Sequence, residues 1–557
     1  MKLKKVLAGV LATSTVLTLA GCGGSGSNSG GSKPAGNSGA SSNAASNATS
    51  NTTSGGASSG GNSETTSGGD SDVWFDPSIK GIKVDESKIK PGMTLTVLSN
   101  RTDRVAGTGN GYFEEFVKPF EEHYGVTVKI EADSDQNALK QKITSNLKGC
   151  ADVMYFPSFS PKKAAEYFEP LGTVGELSNY IDITNKALGD GDDAVVYGVP
   201  LGINAGGYVY NKKMWDAAGI TEAPGNVTDF IADLKIIEEK TDAVPTLCCY
   251  TPKEQFVLSQ IVLLGPAATG DPNYKTKLLV NGGDLFVEGE MYYEMARLIY
   301  EVYSNDDLHE PGASADWQQC KALVGNDTVA TCLVGQWAVV QFKNGYLDER
   351  RTEAGFVDGD GKPIPGDADF EAEIAEEAKK ISLNPAPYTA PDGKRYASVG
   401  ADYLWAVNNT IADDQKELAK AFIKWWVEKS PFMKDEGYIP VLNTATIEDY
   451  PDSLKSWAGV EFFSNAQAPG PISSTWDDID KASDVGIEAD PNGSNWKNKV
   501  AELALAHGTE EEFKAILKEC NEKWRLAREA DTKLQEFIKT DEAKAYVDEA
   551  FAKKANF

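Results

Sequence analysis

This chain of 557 residues has few of the side chains from which metal and nucleic-acid sites are built. It contains three histidines and seven cysteines, and no Cys-x-x-Cys or Cys/His spacing fits zinc, so neither a metal nor a cofactor is expected. Lys and Arg number 54 against 83 Asp and Glu, and the net charge of −29 argues against a nucleic-acid partner, which needs a clustered cationic surface. The length still allows two or more domains of about 100–200 residues.

Motifs of nucleophilic and phosphate chemistry are also absent from the body of the chain. There is no Gly-x-Ser-x-Gly elbow after residue 72 and no Gly-x-x-x-x-Gly-Lys-Ser/Thr loop. A carboxylate pair at glycosidase spacing can always be imagined among 83 acidic residues, so such a pair predicts nothing by itself. The segment Asp358-Gly-Asp-Gly-Lys362 departs from the calcium-loop pattern at Lys362, which favours a solvated loop. We therefore do not expect an enzyme.

The N-terminus has the layout of an export signal. Three lysines lie among the first five residues, and residues 6–20 form a mostly apolar run that is too short to span a bilayer comfortably. The run ends in Leu19-Ala20-Gly21-Cys22, which resembles the lipobox of bacterial lipoproteins. We therefore expect residues 1–21 to be a lipoprotein signal peptide and Cys22 to carry the lipid. An ordinary signal peptide with a chance cysteine is the alternative.

A low-complexity stretch follows the lipobox. Residues 23–72 are nearly all Gly, Ser, Asn, Thr and Ala, with no aromatic or large aliphatic side chain to offset the entropy of ordering. As a random coil such a stretch spans roughly 40 Å. We expect residues 22–72, including the lipidated cysteine, to be a flexible tether, and residues 73–557 to be the folded body.

The first part of the body alternates between strand and helix patterns. Residues 93–98, 125–130 and 151–156 read as strands, while 112–124 and 135–147 have helical spacing or polarity. This order indicates an α/β layer with parallel strands and right-handed crossovers.

Further elements continue along the chain. Residues 199–210 look strand-like around a Gly206-Gly207 interruption, and Thr509-Glu-Glu-Glu512 is a capping box that opens a helix. The region from about residue 410 onward is expected to be mainly helical. Cysteines are sparse, and Cys320 with Cys332 is the most plausible disulfide, although the sequence leaves open whether any pair forms.

Several segments in a fixed order carry a family resemblance. They include Gly207-Tyr-Val-Tyr-Asn-Lys-Lys-Met-Trp-Asp-Ala-Ala-Gly219 and Gly335-Gln-Trp-Ala338, together with residues 95–103, 116–128, 151–156, 197–200 and 397–403. In this order and spacing they resemble extracellular solute-binding protein family 1, the maltose-binding-like substrate receptors of ABC importers. The resemblance spreads over most of residues 92–460 and covers the C-terminal part less.

The resemblance implies a two-lobed α/β periplasmic-binding-protein-like fold with a multi-segment hinge and a helical C-terminal region. Mapped onto this chain, the first lobe would hold about 91–200 and 335–400, and the second about 201–334 and 401–557. The implied protein is a monomeric, lipid-anchored receptor on the extracytoplasmic face of the bacterial cell membrane. It would capture a neutral mono- or oligosaccharide and deliver it to the transmembrane subunits of an ABC permease.

The resemblance also points to side chains in the cleft between the lobes. Sugar recognition uses aromatic rings against the C–H faces and planar polar groups against the hydroxyls. Trp337, in the Gly-x-Trp motif, is the first candidate for stacking, and Phe156 at a strand end is the second, in preference to Tyr155. The remaining candidates are polar or aromatic residues that follow strands, lie on hinge segments or lie in a second-lobe loop: Asn100, Arg101, Asp103, Asn204, Asp402, Tyr403, Tyr250 and Gln255.

Three other readings stay open at this stage. Arg101 and Asp103 would instead form a surface ion pair, and Trp337 and Phe156 would instead be core residues. The chain as a whole would be an exported glycan-acting enzyme or a surface adhesin. The third alternative is a receptor for a non-sugar solute, since aromatic rings with carboxylates also suit a cation.

Overall fold

A computed structural model describes the chain from residue 74 onward, with gaps. The described residues are 74–101, 113–133, 135–156, 159–181, 183, 187–189, 191–247, 269–310, 321–401, 403–455, 457, 459–464, 478–479, 482–485, 495–548 and 551. The described residues from Ser78 onward belong to one compact unit, which is the subject below. The predicted signal peptide, Cys22 and the tether lie outside the described residues.

Short strands and longer helices alternate along this unit. The strands are β1 Thr94–Ser99, β2 Thr127–Ala132, β3 Val153–Phe156, β4 Gly172–Thr173, β5 Ala187–Leu188, β6 Val195–Val196, β7 Val199–Pro200, β8 Ile203–Ala205, β9 Gly207–Asn211, β10 Thr331–Cys332, β11 Ile381–Pro385, β12 Arg395–Ala401, β13 Leu404–Val407 and β14 Val460–Ser464. The helices are α1 Phe113–Tyr124, α2 Gln136–Asn146, α3 Pro161–Ala164, α4 Lys212–Ala218, α5 Val227–Lys240, α6 Tyr274–Asn281, α7 Met291–Tyr303, α8 Trp337–Glu353, α9 Ala368–Glu377, α10 Asp413–Glu428, α11 Phe432–Asp435, α12 Asp452–Lys455, α13 Trp496–Leu505, α14 Glu510–Ala530 and α15 Thr532–Phe537.

The first lobe is built on a five-stranded sheet of order β2-β1-β3-β13-β7. Strand β1 is parallel to β2 and to β3, with Val97 opposite Val153. Helices α1 and α2 connect these three strands, as the alternation of patterns in the sequence predicts. The parallel α/β layer is therefore confirmed for this lobe.

The second lobe has a smaller sheet of order β10-β9-β11. Helix α8 packs against β11, and β11 lies antiparallel to β9. Strand β13 instead pairs with β3 and β7 in the first lobe. The predicted allocation of the return segments is therefore wrong for these strands, since β11 falls within 335–400 and β13 within 401–557. The chain returns to the first lobe through β12, later than the sequence suggested.

Three segments run between the two lobes. Strand β8 leads from β7 to β9, and β12 leads from β11 to β13; the two are antiparallel, with Asn204 opposite Gly400. The third segment follows α11, where Ile203 and Ile439 exchange backbone hydrogen bonds of 3.1 and 2.9 Å. Strand β14 then runs parallel to β12. The fold class predicted from the sequence, two α/β lobes joined by several strands, is confirmed.

An aromatic core holds α10 against the first sheet. Phe422 of this helix meets Phe120 of α1 with ring centroids 5.5 Å apart, and Trp426 meets Trp405 of β13 at 5.4 Å. All four side chains are buried. Each such burial contributes about 1.5–3 kcal/mol, so this core fixes β13 in the first lobe regardless of its place in the sequence.

The C-terminal helices complete the second lobe. Helix α13 packs along α7, and α14 opens with the predicted capping box, in which Thr509 and Glu512 bond each other's backbone amides. The buried side chain of Asn521 on α14 accepts hydrogen bonds from the amides of Leu285 and Phe286 and donates one to the Phe286 carbonyl, at 2.9–3.0 Å. Helices α13 and α14 are therefore an integral part of the second lobe.

Other sequence-based expectations concern cysteines and membrane spans. Cys332 lies in β10 as a buried free thiol, so the suggested disulfide with Cys320 is absent, and Cys320 itself lies outside the described residues. Burial raises the pKa of the Cys332 thiol, which makes it unreactive. Within the described part of the chain, no helix has the length and apolar character needed to cross a membrane.

Asp233 on α5 provides a test of electrostatics in the second lobe. Burial, with a smaller contribution from Asp229, raises the pKa of its carboxyl group to about 6. The ionised form is therefore disfavoured in the folded state, and stability should fall as pH rises from about 4 to 6. We expect Asp233→Asn to raise the free energy of unfolding at pH 7.5 by about 1 kcal/mol, a value discounted because the group is half exposed.

Denaturant titrations at pH 7.5 and pH 4 check this expectation. At pH 4 the gain should be largely lost, since the wild-type carboxyl is then mostly protonated in the folded protein. Glu238→Gln, which removes an exposed charge from the same helix, should change stability by less than about 0.5 kcal/mol at either pH. An equal gain at both pH values would contradict the electrostatic explanation.

Candidate functional site

The carboxyl ends of β1 and β3 meet at one edge of the first sheet. Parallel pairing of Leu98 with Met154 places Asn100 and Phe156 at this edge, where α/β sheets bind ligands. Asn100 is half-buried, and its Oδ1 is fully covered without a hydrogen-bond partner among the described residues. Such an amide oxygen at a strand end can accept a hydrogen bond from a hydroxyl group of a ligand.

Aromatic residues occupy the same edge. Phe156 lies opposite Leu404 at the end of β3, and the structure describes its backbone but not its side chain. Tyr155 is fully buried, and its ring lies 5.5 Å from that of Tyr403, edge to face. Within the described part of the chain the Tyr155 hydroxyl has no hydrogen-bond partner, and burial raises its pKa. After the Asn100 amide oxygen, the Tyr155 hydroxyl is thus a second buried polar group at this edge that can bond a ligand, and it lies beside the half-buried Tyr403.

Asn204 lies on the hinge strand β8, next to this edge of the sheet. The amide of Leu201 donates to the carbonyl of Tyr403 at 2.7 Å, and Asn204 follows three residues later on β8. Asn204 is half-buried, and its Oδ1 is likewise covered, with no hydrogen-bond partner in the residues that the structure describes. The side chain therefore has the same unmet hydrogen-bonding capacity as that of Asn100.

The second lobe reaches the hinge at Gln336 and Trp337. The amide of Gln336 donates to the Ala205 carbonyl at 3.0 Å, and the Ala205 amide donates to Gln336 Oε1 at 3.1 Å. Trp337 is half-buried at the first turn of α8, so the alternative of a core tryptophan on a strand does not apply. These bonds place Trp337 close to Asn204 at the junction of the lobes.

Arg101 is held by the protein itself. Its guanidinium lies 2.6 Å from Glu436 Oε2 and 3.2 Å from the Tyr438 hydroxyl, and the Arg101 and Glu436 side chains are 5% and 3% exposed. Arg101 is therefore buried and paired with Glu436, so a position on the surface does not describe this arginine, and Asp103 lies outside the described residues. We refer to Arg101 and Glu436 as the buried ion pair.

Four of the candidate ligand residues predicted from the sequence have no described position. Asp103, Asp402, Tyr250 and Gln255 lie outside the described residues, so their roles stay predictions. Among the described residues, no cluster of three potential metal ligands is found. Of the predicted set, the structure thus brings together Asn100, Asn204, Trp337 and Tyr403, with the backbone of Phe156.

Sequence reasoning missed Gln336, Glu436 and Tyr438. The Gly335-Gln-Trp-Ala338 motif drew attention to the tryptophan because stacking is a recognisable role, whereas the neighbouring glutamine carries no such signal. Glu436 precedes Gly437, whose φ of +73° marks a left-handed turn, and a Glu-Gly pair in the sequence indicates only a turn. Only the fold shows that this turn faces the end of β1.

The chain is similar to known bacterial solute-binding proteins. The family model for bacterial extracellular solute-binding proteins matches residues 115–461. The diacetylchitobiose binding protein DasA of Streptomyces coelicolor is 33% identical over 140 residues, which is 24% of this chain and 32% of that protein. The match thus spans about a third of the length of that curated relative.

Two solved structures from Bifidobacterium animalis subsp. lactis match far more of their length. BlMnBP1, a binding protein of an ABC transporter in complex with mannobiose, is 27% identical with a TM-score of 0.67. BlMnBP2, a manno-oligosaccharide specific solute binding protein in complex with mannotriose, is 26% identical with a TM-score of 0.67. Each alignment covers 81% of this chain and 98% of the other. With the family model matched over more than half of its length, this chain belongs to the bacterial extracellular solute-binding proteins.

Proposed function

We propose that this protein is the receptor of an ABC importer and that it captures an oligosaccharide between its two lobes. The observation that carries the proposal is the set of unsatisfied groups at the junction: the amide oxygens of Asn100 and Asn204 and the hydroxyl of Tyr155. Leaving a buried polar atom unpaired costs about 1–3 kcal/mol. Ligand hydroxyls that bond these atoms would recover that free energy on binding.

The aromatic groups supply the other half of sugar recognition. Trp337, half-buried at the head of α8, would stack on the C–H face of a ring, while Tyr403 on the first-lobe side would line the same space. Because Asn100 belongs to the first lobe and Trp337 to the second, a ligand touching both binds the closed arrangement better than the open one. It thereby shifts the population toward closure.

Manno-oligosaccharides are the substrate class that we propose first. BlMnBP1 and BlMnBP2, at 27% and 26% identity over nearly their whole length, are described with mannobiose and mannotriose. The match to the diacetylchitobiose binding protein is shorter, so an N-acetylated disaccharide is the second choice. These relatives are binding proteins, which agrees with a protein that releases its ligand unchanged.

Anchoring and delivery complete the proposal. The lipobox ending at Cys22 and the following Gly/Ser-rich stretch suit a monomeric receptor held by its lipid at the extracytoplasmic face of the membrane. The tether would let the receptor meet the transmembrane permease subunits, which then accept the sugar from the closed lobes.

Calorimetric titration of the purified protein tests the proposal. We expect saturable binding of mannobiose or mannotriose, weaker binding of maltotriose, and full recovery of the intact sugar by chromatography after incubation. Binding of diacetylchitobiose but not of the mannosides would favour the second choice, an N-acetylated disaccharide. Hydrolysis of the sugar would favour the alternative of an exported enzyme, and failure of every glycan to bind would refute the proposal.

A further inference from the structure

We infer that Gln336 is a positioning residue for the ligand site and that it acts with the buried ion pair as one hydrogen-bonded relay. The relay runs from Arg101 to Glu436, through the Glu436-Gly437 peptide, to Gln336 and finally to Ala205. The inference deepens the proposed function and rests on it, since it says how that site is held in shape.

The first link joins the second lobe to β8. Gln336 and Ala205 form a closed pair, because the Gln336 amide donates to the Ala205 carbonyl while the Ala205 amide donates to Gln336 Oε1. Gln336 immediately precedes α8 yet makes no side-chain capping bond to that helix. Its side chain, which is 2% exposed, is instead directed across to another segment of the hinge.

The second link joins Gln336 to the third hinge segment. Its Nε2 donates to the carbonyl of Gly437. The preceding residue, Glu436, accepts from Arg101 at 2.6 Å, and Arg101 directly follows Asn100 at the end of β1. One glutamine side chain thus connects β8, the segment after α11 and, through the ion pair, the first-lobe sheet.

Three of the candidate ligand residues are direct chain neighbours of relay residues. Asn100 precedes Arg101, Asn204 precedes Ala205, and Trp337 follows Gln336. Each candidate is therefore one peptide away from a residue whose position the relay fixes. Binding groups must be held within about 0.5 Å of their productive geometry, so a change in the relay moves all three candidates at once.

The chemistry of the glutamine explains its place. A primary amide is both a donor and an acceptor, which is what the Gly437 carbonyl and the Ala205 amide require. Methionine has a similar length but satisfies neither group. An ionised glutamate accepts from Ala205 but cannot donate to Gly437, whereas a protonated glutamate can do both.

The test compares Gln336→Met, Gln336→Glu and the wild type by calorimetry with mannotriose, or with whichever glycan the wild type binds. Gln336→Met should weaken binding about 10-fold or more over pH 5–7.5. Gln336→Glu should be weakened at pH 7.5 and regain much of its affinity at pH 5, relative to the wild type at each pH, because protonation restores the donor. A purely structural role would lower the melting temperature without this pH-dependent recovery.

Gln415→Met is the matched control. Gln415 also donates through Nε2 to a backbone carbonyl, that of Thr94 at 2.7 Å, but at the opposite end of β1 from the ligand site. It should lower the melting temperature while leaving the affinity unchanged. Equal affinities for Gln336→Met and wild type, or no difference between the two pH values for Gln336→Glu, would overturn the inference and leave the proposed function intact.

Hydrogen–deuterium exchange on the ligand-free protein provides a test that does not need a sugar. In both Gln336 variants at pH 7.5, exchange should accelerate together in peptides covering residues 203–205 and 436–439. Acceleration in only one peptide would overturn the relay, even if the wild type bound no glycan and the proposed function had failed. If Gln336→Met does not fold, Gln336→Glu at the two pH values decides the matter by the same criteria.

Discussion

Replacing Trp337 by alanine is expected to weaken oligosaccharide binding by roughly 30- to 700-fold. Truncating a tryptophan at the centre of a binding surface typically costs about 2–4 kcal/mol, and each 1.4 kcal/mol corresponds to a factor of about ten in affinity. Trp337 is half-buried at the head of α8, beside the Gln336–Ala205 pair, so its ring is placed to meet a ligand at the junction. Calorimetry with the wild-type ligand measures the change.

The same substitution should leave the protein folded. Because Trp337 is only half-buried, its loss creates no closed cavity in either core, and we expect a small decrease in melting temperature. Tyr300→Ala is the matched control: Tyr300 is also half-buried and stacks on Phe513 with ring centroids 4.6 Å apart, but it belongs to the C-terminal side of the second lobe. It should lower stability and not affinity. Unchanged affinity in Trp337→Ala would refute the stacking role.

Removing one member of the buried ion pair is expected to have the largest effect on stability. Arg101→Met leaves the Glu436 carboxylate, 3% exposed, without its guanidinium. Breaking a buried pair in this way typically costs about 3–5 kcal/mol, because the remaining charge stays in a low-dielectric site after it loses the guanidinium group. Urea denaturation of the variant and the wild type gives the difference in the free energy of unfolding.

A double variant separates the ion pair from simple loss of packing. Arg101→Met combined with Glu436→Met removes both charges, so it should be more stable than Arg101→Met alone. The exposed pair Lys83–Glu176, at 79% and 40% side-chain exposure, serves as the reference. Lys83→Met should cost less than about 1 kcal/mol. A double variant less stable than either single one would contradict the explanation by an uncompensated charge.

Much of the local structure follows from the sequence. The capping box at Thr509 and Glu512 places the start of α14, because the two side chains satisfy backbone amides within one turn. Alternating residues in β1 and β2 and the helical spacing of α1 predict the parallel layer of the first lobe. These signals are readable because each depends on contacts between residues that are close in the chain.

The allocation of later strands to the lobes could not be read in this way. Strands β11 and β13 are only five and four residues long, and nothing in their residues distinguishes the second sheet from the first. Their partners, β9 and β3, lie 170 residues or more earlier. The aromatic core around Phe422 and Trp405 decides the question, because those side chains come together only when β13 lies in the first sheet.

The candidate site also combines features that the sequence predicts with features that only the fold shows. The sequence by itself carried the family pattern and indicated which side chains follow strands or lie on hinge segments, so Asn100, Asn204, Trp337 and Tyr403 could be proposed from it, while the export signal stays a prediction. Only the tertiary structure decided that Arg101 is paired with Glu436 and that Gln336 bonds Ala205 and Gly437. Hydrogen-bond partners in a folded protein are set by proximity in space, and at this hinge the partners come from segments that lie 101 to 335 residues apart in the chain.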